Sequence, residues 1–226
     1  MEGLATANAL ALGGDLSCAL RDGRVFCWGS DRGSLLQAMA GDTSIRKCAS
    51  WSCRGVAAAV GDLATVRRVS VRGTGEGDTP HLACAVHAAG AVTCWGRRGL
   101  LGRGDPLDPN GLSDAPGPVI EGLAAQEVQV GEGFACALTT AGGVACWGAV
   151  QGCRAGRPGA EGEVAPRPVP LALSGVRALA VGARHACALV GDAEVWCWGD
   201  GAQGQLGHGA LAAPAGCAPV RAELAP

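Results

Sequence analysis

Short apolar alternations recur along this chain, each broken by glycine within a few residues, and no segment sustains the three-to-four spacing of an amphipathic helix. LALGG before Cys18, VSVRG before Cys84, VQVGEG before Cys136 and LAVGAR before Cys187 each read as a strand running into a turn. Every one is followed by the same skeleton: Cys-Ala-[Leu/Val], a short polar turn, an apolar strand and Cys-Trp-Gly. The four copies are CALRDGRVFCWG, CAVHAAGAVTCWG, CALTTAGGVACWG and CALVGDAEVWCWG. After each comes a polar, glycine-rich loop, and after the last three a proline-flanked apolar piece: PGPVIEGL from Pro116, PRPVPLAL from Pro166 and CAPVRAEL from Cys217. The pattern predicts an all-β chain with about four short antiparallel strands per unit. The first cysteines, Cys18, Cys84, Cys136 and Cys187, follow one another at 66, 52 and 51 residues, a spacing of propeller-blade size with an insertion in the first unit. The units span approximately 1–65, 66–127, 128–175 and 176–226 of a single repeat domain covering 1–226, and the insertion spans 34–60.

The fourth unit spells its pattern most fully, as GARHACALVGDAEVWCWGDGAQGQLG. Its strand, glycine, His-x-Cys-Ala-Leu, Cys-Trp-Gly and Gly-Gln-Leu-Gly resemble the repeats of the regulator of chromosome condensation, here in a cysteine-rich, bacterial-type variant. The resemblance implies a β-propeller of four-stranded antiparallel blades, usually seven in that family. Four units fit either a closed four-blade ring or an open arc of a larger ring. The first unit starts without a proline-flanked strand and the chain ends with one, so the last strand is expected to complete the first blade.

Cysteine spacing adds a constraint. Residues equidistant from a hairpin turn face each other at separations a disulfide can span. Cys18 and Cys27 centre on Asp22-Gly23, a two-residue type I′ turn. Cys84 with Cys94, and Cys136 with Cys146, centre on three-residue loops ending in Gly90 and Gly142, where a left-handed residue is needed. Cys187 and Cys197 centre on Asp192 with Ala193 in the glycine position, so that hairpin is expected to turn differently. Of the remaining four, Cys48 and Cys53 bracket ASWS and would staple the insertion, and Cys153 and Cys217 would join neighbouring blades. Disulfides are the favoured reading because all twelve cysteines can be paired. The alternatives are reduced cysteines packed as small apolar groups and zinc, which the spacings fit poorly.

Each tryptophan of Cys-Trp-Gly follows its cysteine on the strand and so points to the opposite face, where large rings pack blade against blade. Trp51, inside the Cys48–Cys53 loop, is a candidate partner anchor. Gly199, Gly201 and Gly204, with Glu223 about twenty residues on, spell a dinucleotide-binding fingerprint. Gly207, Gly209 and Pro214 would break the helix such a loop must open, so these glycines read as turn residues. No hydrolase or P-loop motif is present, and Lys47 is the only lysine. Catalytic, cofactor-binding and metal-ligating residues are therefore expected to be absent. The histidines are His81, His87, His185 and His208; the resemblance gives His185 a structural hydrogen bond.

Net charge is −2 with 18 basic and 20 acidic residues, which gives no bulk attraction to nucleic acid or anionic lipid. No apolar run reaches the roughly eighteen residues of a membrane helix, and MEGLATANALALGGD lacks the basic n-region of a secretory signal. The expected function is a non-enzymatic, protein-binding scaffold without a cofactor. A disulfide framework places it outside the cell or in the periplasm or cell envelope, and reduced cysteines would make it an intracellular regulatory propeller. Candidate partner-facing residues are Trp51, Arg97, Arg98, Arg103, Gln203, Gln205 and His208. The resembling family includes a GTPase exchange factor and a secreted β-lactamase inhibitor; no exchange-loop residue matches this chain.

Overall fold

Period-two alternation and glycine turns give four antiparallel sheets in chain order. The computed structural model describes residues 6–31, 46–48, 51–72, 82–106, 113–119, 122–211 and 217–223. The first blade holds β1 (Ala9–Gly13), β2 (Leu16–Arg21), β3 (Arg24–Asp31) and β5 (Trp51–Ala59), with the short β4 (Arg46–Cys48) on the outer edge of β5. The second holds β6 (Val66–Arg72), β7 (Leu82–His87), β8 (Val92–Arg97) and β9 (Ser113–Pro118). The third holds β10 (Ala125–Val130), β11 (Phe134–Thr139), β12 (Val144–Ala149) and β13 (Val164–Pro170). The fourth holds β14 (Val176–Val181), β15 (His185–Val190), β16 (Glu194–Gly199) and β17 (Val220–Arg221). A short 3-10 turn spans Gln151–Cys153.

The cysteine register read from the turns is the observed one. Cys18 pairs with Cys27, Cys84 with Cys94, Cys136 with Cys146 and Cys187 with Cys197 as directly opposed residues. All four are disulfides with Cα atoms 4.1 Å apart, the close approach of non-hydrogen-bonded antiparallel pairs. Asp22 and Gly23 take φ of 49° and 73°, as a type I′ turn requires, and Gly90 and Gly142 are left-handed at 88° and 78°. The fourth hairpin does turn differently: its positive φ, 57°, falls on Gly191. Cys48–Cys53 and Cys153–Cys217 complete six disulfides, and no cysteine is free.

The glycine of Cys-Trp-Gly has its own physical reason. Gly29, Gly96, Gly148 and Gly199 have φ of 118°, 122°, 96° and 106°, a region closed to most side chains. A Cβ on Gly148 would lie 2.4 Å from the Gly133 carbonyl oxygen, and one on Gly199 would lie 2.6 Å from that of Arg184. These same carbonyls accept hydrogen bonds from Ala149 N and Asp200 N at 2.8 and 2.9 Å. In the first three blades the ladder to the fourth strand shifts register at this point, between Cys27 and Gly29, Cys94 and Gly96, and Cys146 and Gly148.

Two expectations are corrected. The closing strand does not complete the first blade: Val220 and Arg221 pair with Cys197 and Trp196 inside the fourth blade. The first blade supplies its own fourth strand, β5, from the segment read as an insertion. Ala58 and Ala59 oppose Cys27 and Phe26 there, in the register of Val169 and Pro170 opposite Cys146 and Ala145. Ladder position, not proline, defines the fourth strand, and the β5 sequence WSCRGVAAA lacks the prolines that mark the others.

The core lies between blades. At each junction the cysteine-bearing face of one blade meets the alanine- and tryptophan-bearing face of the next. Leu16, Cys18, Leu20, Val25 and Cys27 cluster with Val66, Val71, Ala83, Ala85 and Trp95 at the first junction. The second and third junctions repeat this around Trp147 and Trp198. Trp95, Trp147 and Trp198 are buried as the strand alternation predicts, while Trp28, on the first blade, is only half-buried. No helix among the described residues is long and apolar enough to cross a membrane.

Candidate functional site

Each Cys-Trp-Gly strand delivers the chain into a long connection to the fourth strand, and those after β8, β12 and β16 are tied to one another along one rim. Buried aliphatic residues anchor them: Leu100 and Leu101 after β8, Val150 and Ala155 after β12, Leu206 after β16. Leu101 and Leu206 hold the same place in GLLG and GQLG. Leu101 joins the cluster containing Trp147, and Val150 and Ala155 join the one containing Trp198, so the loops after β8 and β12 each pack into the junction with the following blade. Gly104 N donates to Pro166 O at 2.7 Å, linking the second-blade loop to β13. Cys153–Cys217 then ties the third-blade loop to the segment entering β17, with Cα atoms 5.1 Å apart. Both cysteines are left-handed, at φ of 61° and 62°.

Arginine dominates the charge of this rim. Arg154 Nη1 donates to Glu132 O at 3.2 Å, and Arg184 Nε stands 3.4 Å from Asp200 Oδ2. Burial, and then the charge of Arg184, hold the Arg154 guanidinium below its usual pKa, opposed by Glu132 and Asp200. Asp200 also accepts from Ala202 N at 3.0 Å. The sequence does not single out Arg154 or Arg184, and Asp200 reads from it only as a turn carboxylate. Their one available signal was position, in the loops before β15 and after each Cys-Trp-Gly.

The sequence candidates take the following places. Arg97 and Arg98 are half-buried at the end of β8 and in the turn after it. Arg103 Nη2 donates to the carbonyls of Cys94 and Ala115 at 2.5 and 2.9 Å, clipping its loop to β8 and β9. Gln205 Oε1 accepts from Gln203 N at 2.8 Å, closing the turn that carries both, and His208 is half-buried beside it. The backbone of Trp51 opens β5 and pairs with Cys48; its side chain lies outside the described residues, as does His81. His87 bridges Ala64 O and Thr93 Oγ1 at 2.8 and 2.9 Å, a structural role. Gly204, Gly207 and Gly209 are left-handed at 76°, 65° and 80° in successive turns without a helix, so the apparent dinucleotide fingerprint is blade-turn sequence. Among the described residues no three His, Cys, Asp or Glu side chains gather to hold a metal.

Four-stranded antiparallel blades packed face to face, with the loops of successive third strands on one rim, are the architecture of a β-propeller-type repeat protein. The chain carries the regulator of chromosome condensation repeat: the profile described as "Regulator of chromosome condensation (RCC1) repeat" matches residues 176–205. The chain is 33% identical over 216 residues to the RCC1 domain-containing protein RUG3, mitochondrial, of Arabidopsis thaliana, covering 90% of this chain and 44% of that protein. Human WBSCR16 superposes on 99% of the chain with a TM-score of 0.72 at 22% identity, over 55% of its own length. Yeast RCC1 (Prp20), solved bound to Kap60, superposes on 97% with a TM-score of 0.74 at 19% identity, over 50% of its length. The chain thus spans about half the length of the relatives it matches.

Proposed function

We propose that the chain is a non-catalytic, protein-binding scaffold that presents the loops after β8, β12 and β16 to a protein partner. The carrying observation is the rim itself: three connections fixed by buried anchors, by the Gly104–Pro166 hydrogen bond and by the Cys153–Cys217 bridge, with arginines among them. A surface ordered before binding loses little conformational entropy on association, and arginine favours acidic or carboxylate-bearing partner surfaces. The six bridges that pair all twelve cysteines support the reading of a protein that works in an oxidising compartment, outside the cell or in its envelope.

A second reading, an intracellular regulatory propeller with reduced cysteines, draws support from relatives. RUG3 is a mitochondrial protein, and Prp20p of Saccharomyces cerevisiae has binding properties to Gsp1p and histones. Arg157 is exposed in the loop after β12, and the function is tested by capture from the native envelope fraction, with the chain and its Arg98→Glu/Arg157→Glu variant as baits. Retention of a protein by the chain and its loss from the variant supports the rim as the binding surface. Equal retention by both contradicts it.

A further inference from the structure

Five of the six disulfides are tied into the packed interior, and one is not. Both cysteines are buried in Cys18–Cys27, Cys84–Cys94, Cys136–Cys146 and Cys153–Cys217, and Cys197 is buried in Cys187–Cys197. Cys48–Cys53 has neither end buried: Cys48 is exposed and Cys53 half-buried. Its place in the fold explains the difference. β4 is a fifth strand on the outer edge of a blade whose three companions have four, so it lies beyond the width over which blades pack. Among the described residues, none of the three junction clusters draws on β4 or on Cys53 and Arg54.

The hairpin also distinguishes its two sulfurs. Arg46 stands directly opposite Cys53 in the β4–β5 ladder. Directly opposed side chains share a face, with Cβ atoms about 5 Å apart, so the exposed Arg46 sets a positive charge beside Cys53. In thiol–disulfide exchange a thiolate attacks the accessible sulfur and expels the one whose anion is better stabilised. Cys48 Sγ is the open sulfur, and Cys53 Sγ is the one next to the cation. Breaking the bridge removes none of the four blade strands, because β4 pairs with β5 alone and β5 has its own ladder to β3.

We propose that Cys48–Cys53 is a thiol–disulfide exchange site, open to a thiol-bearing reductant that the other five bridges exclude. An incoming thiolate forms a bond to Cys48 Sγ as the Cys48–Cys53 bond breaks, and Cys53 departs as a thiolate. A second thiolate then bonds to the incoming sulfur and frees Cys48 as a thiolate. Two thiols are oxidised to one disulfide, the bridge takes up their two electrons, and the thiol protons pass to solvent or to the freed cysteines. A small thiol and the dithiol of an oxidoreductase present the same attacking group. The inference stands on this bridge alone and is independent of any partner at the rim.

The sequence supplies a readout, because trypsin cleavage after Lys47 and Arg54 releases both cysteines in one peptide, CASWSCR. The full chain is held at neutral pH without denaturant, with reduced glutathione in one arm and reduced thioredoxin in the other, then quenched in acid, alkylated and mapped. Modification of CASWSCR is expected at least about tenfold faster than at any other cysteine, with the first glutathione adduct on Cys48. Reaction with glutathione assigns the site to small thiols, and reaction with thioredoxin alone assigns it to a protein dithiol. Arg46→Glu should slow the reaction several-fold and Arg46→Lys restore it, a dependence on charge that exposure by itself does not produce. The proposal is overturned by equal rates at all six bridges, by no reaction of CASWSCR in either arm, by a first adduct on Cys53, or by a peptide already alkylated before thiol is added. An Arg46→Glu rate equal to that of the chain would overturn the role given to Arg46.

Discussion

At the scale of residues, the repeat signature resolves into separate physical demands. Cysteine supplies the cross-strand staple, tryptophan the junction ring, and glycine a backbone conformation that other residues adopt only at a cost. Gly148 is the sharpest case, because its left-handed φ coincides with carbonyl and Cα atoms 2.4 and 2.8 Å from where a Cβ would sit. Gly162 is also left-handed, at φ of 82°, but nothing lies within 4 Å. Gly162→Ala is therefore expected to cost about 1 kcal/mol, the conformational term alone. Gly148→Ala should cost roughly 3 kcal/mol or more, since backbone must also move. Urea midpoints of the two variants check this, and equal midpoints would remove the steric explanation of the Cys-Trp-Gly glycine.

At the scale of elements, hairpins were the most legible part of the sequence because turn chemistry and cysteine spacing are both local. Asp22-Gly23 fixes one register outright, and Gly90 and Gly142 fix two more. What escaped sequence reading depends on non-local pairing. Strand β5 carries no proline and lies far along the chain from β3, so nothing local marks it as the fourth strand of the first blade. Arg54, opposite Gly29 in that strand and 1% exposed, had no sequence signal at all, since a buried arginine is defined by what surrounds it. The arginines of the rim were legible only as a cluster after β8; Arg154, Arg184 and Asp200 meet through the packing of separate blades. Cys153–Cys217 closes a separation of 64 residues, and the chain-entropy model gives such a loop about 4 kcal/mol of stabilisation. Cys153→Ala/Cys217→Ala is expected to lower the melting temperature accordingly while leaving the sheet signal of the first two blades intact. An unchanged melting temperature would show that the bridge adds nothing to the packing of the fourth blade.

At the scale of the whole molecule, the fold is a succession of equivalent junctions, and its stability is a sum over blades and their interfaces. Such a chain has little aromatic mass beyond its junction tryptophans, with two phenylalanines and no tyrosine in 226 residues. Covalent staples offset that shortage, one in each hairpin and one each at β4–β5 and between the third and fourth blades. The proposed compartment and the preordered rim both rest on those staples being present where the protein works. The most direct measurement is the intact mass of the chain isolated from its native source under acid quench, unreduced, before and after alkylation under denaturing conditions. The expected result is a mass twelve hydrogens below that of the fully reduced chain and no alkylation, one bridge for each of the six pairs. A fully reduced mass with twelve alkylated cysteines would contradict the stapled scaffold and favour the intracellular reading.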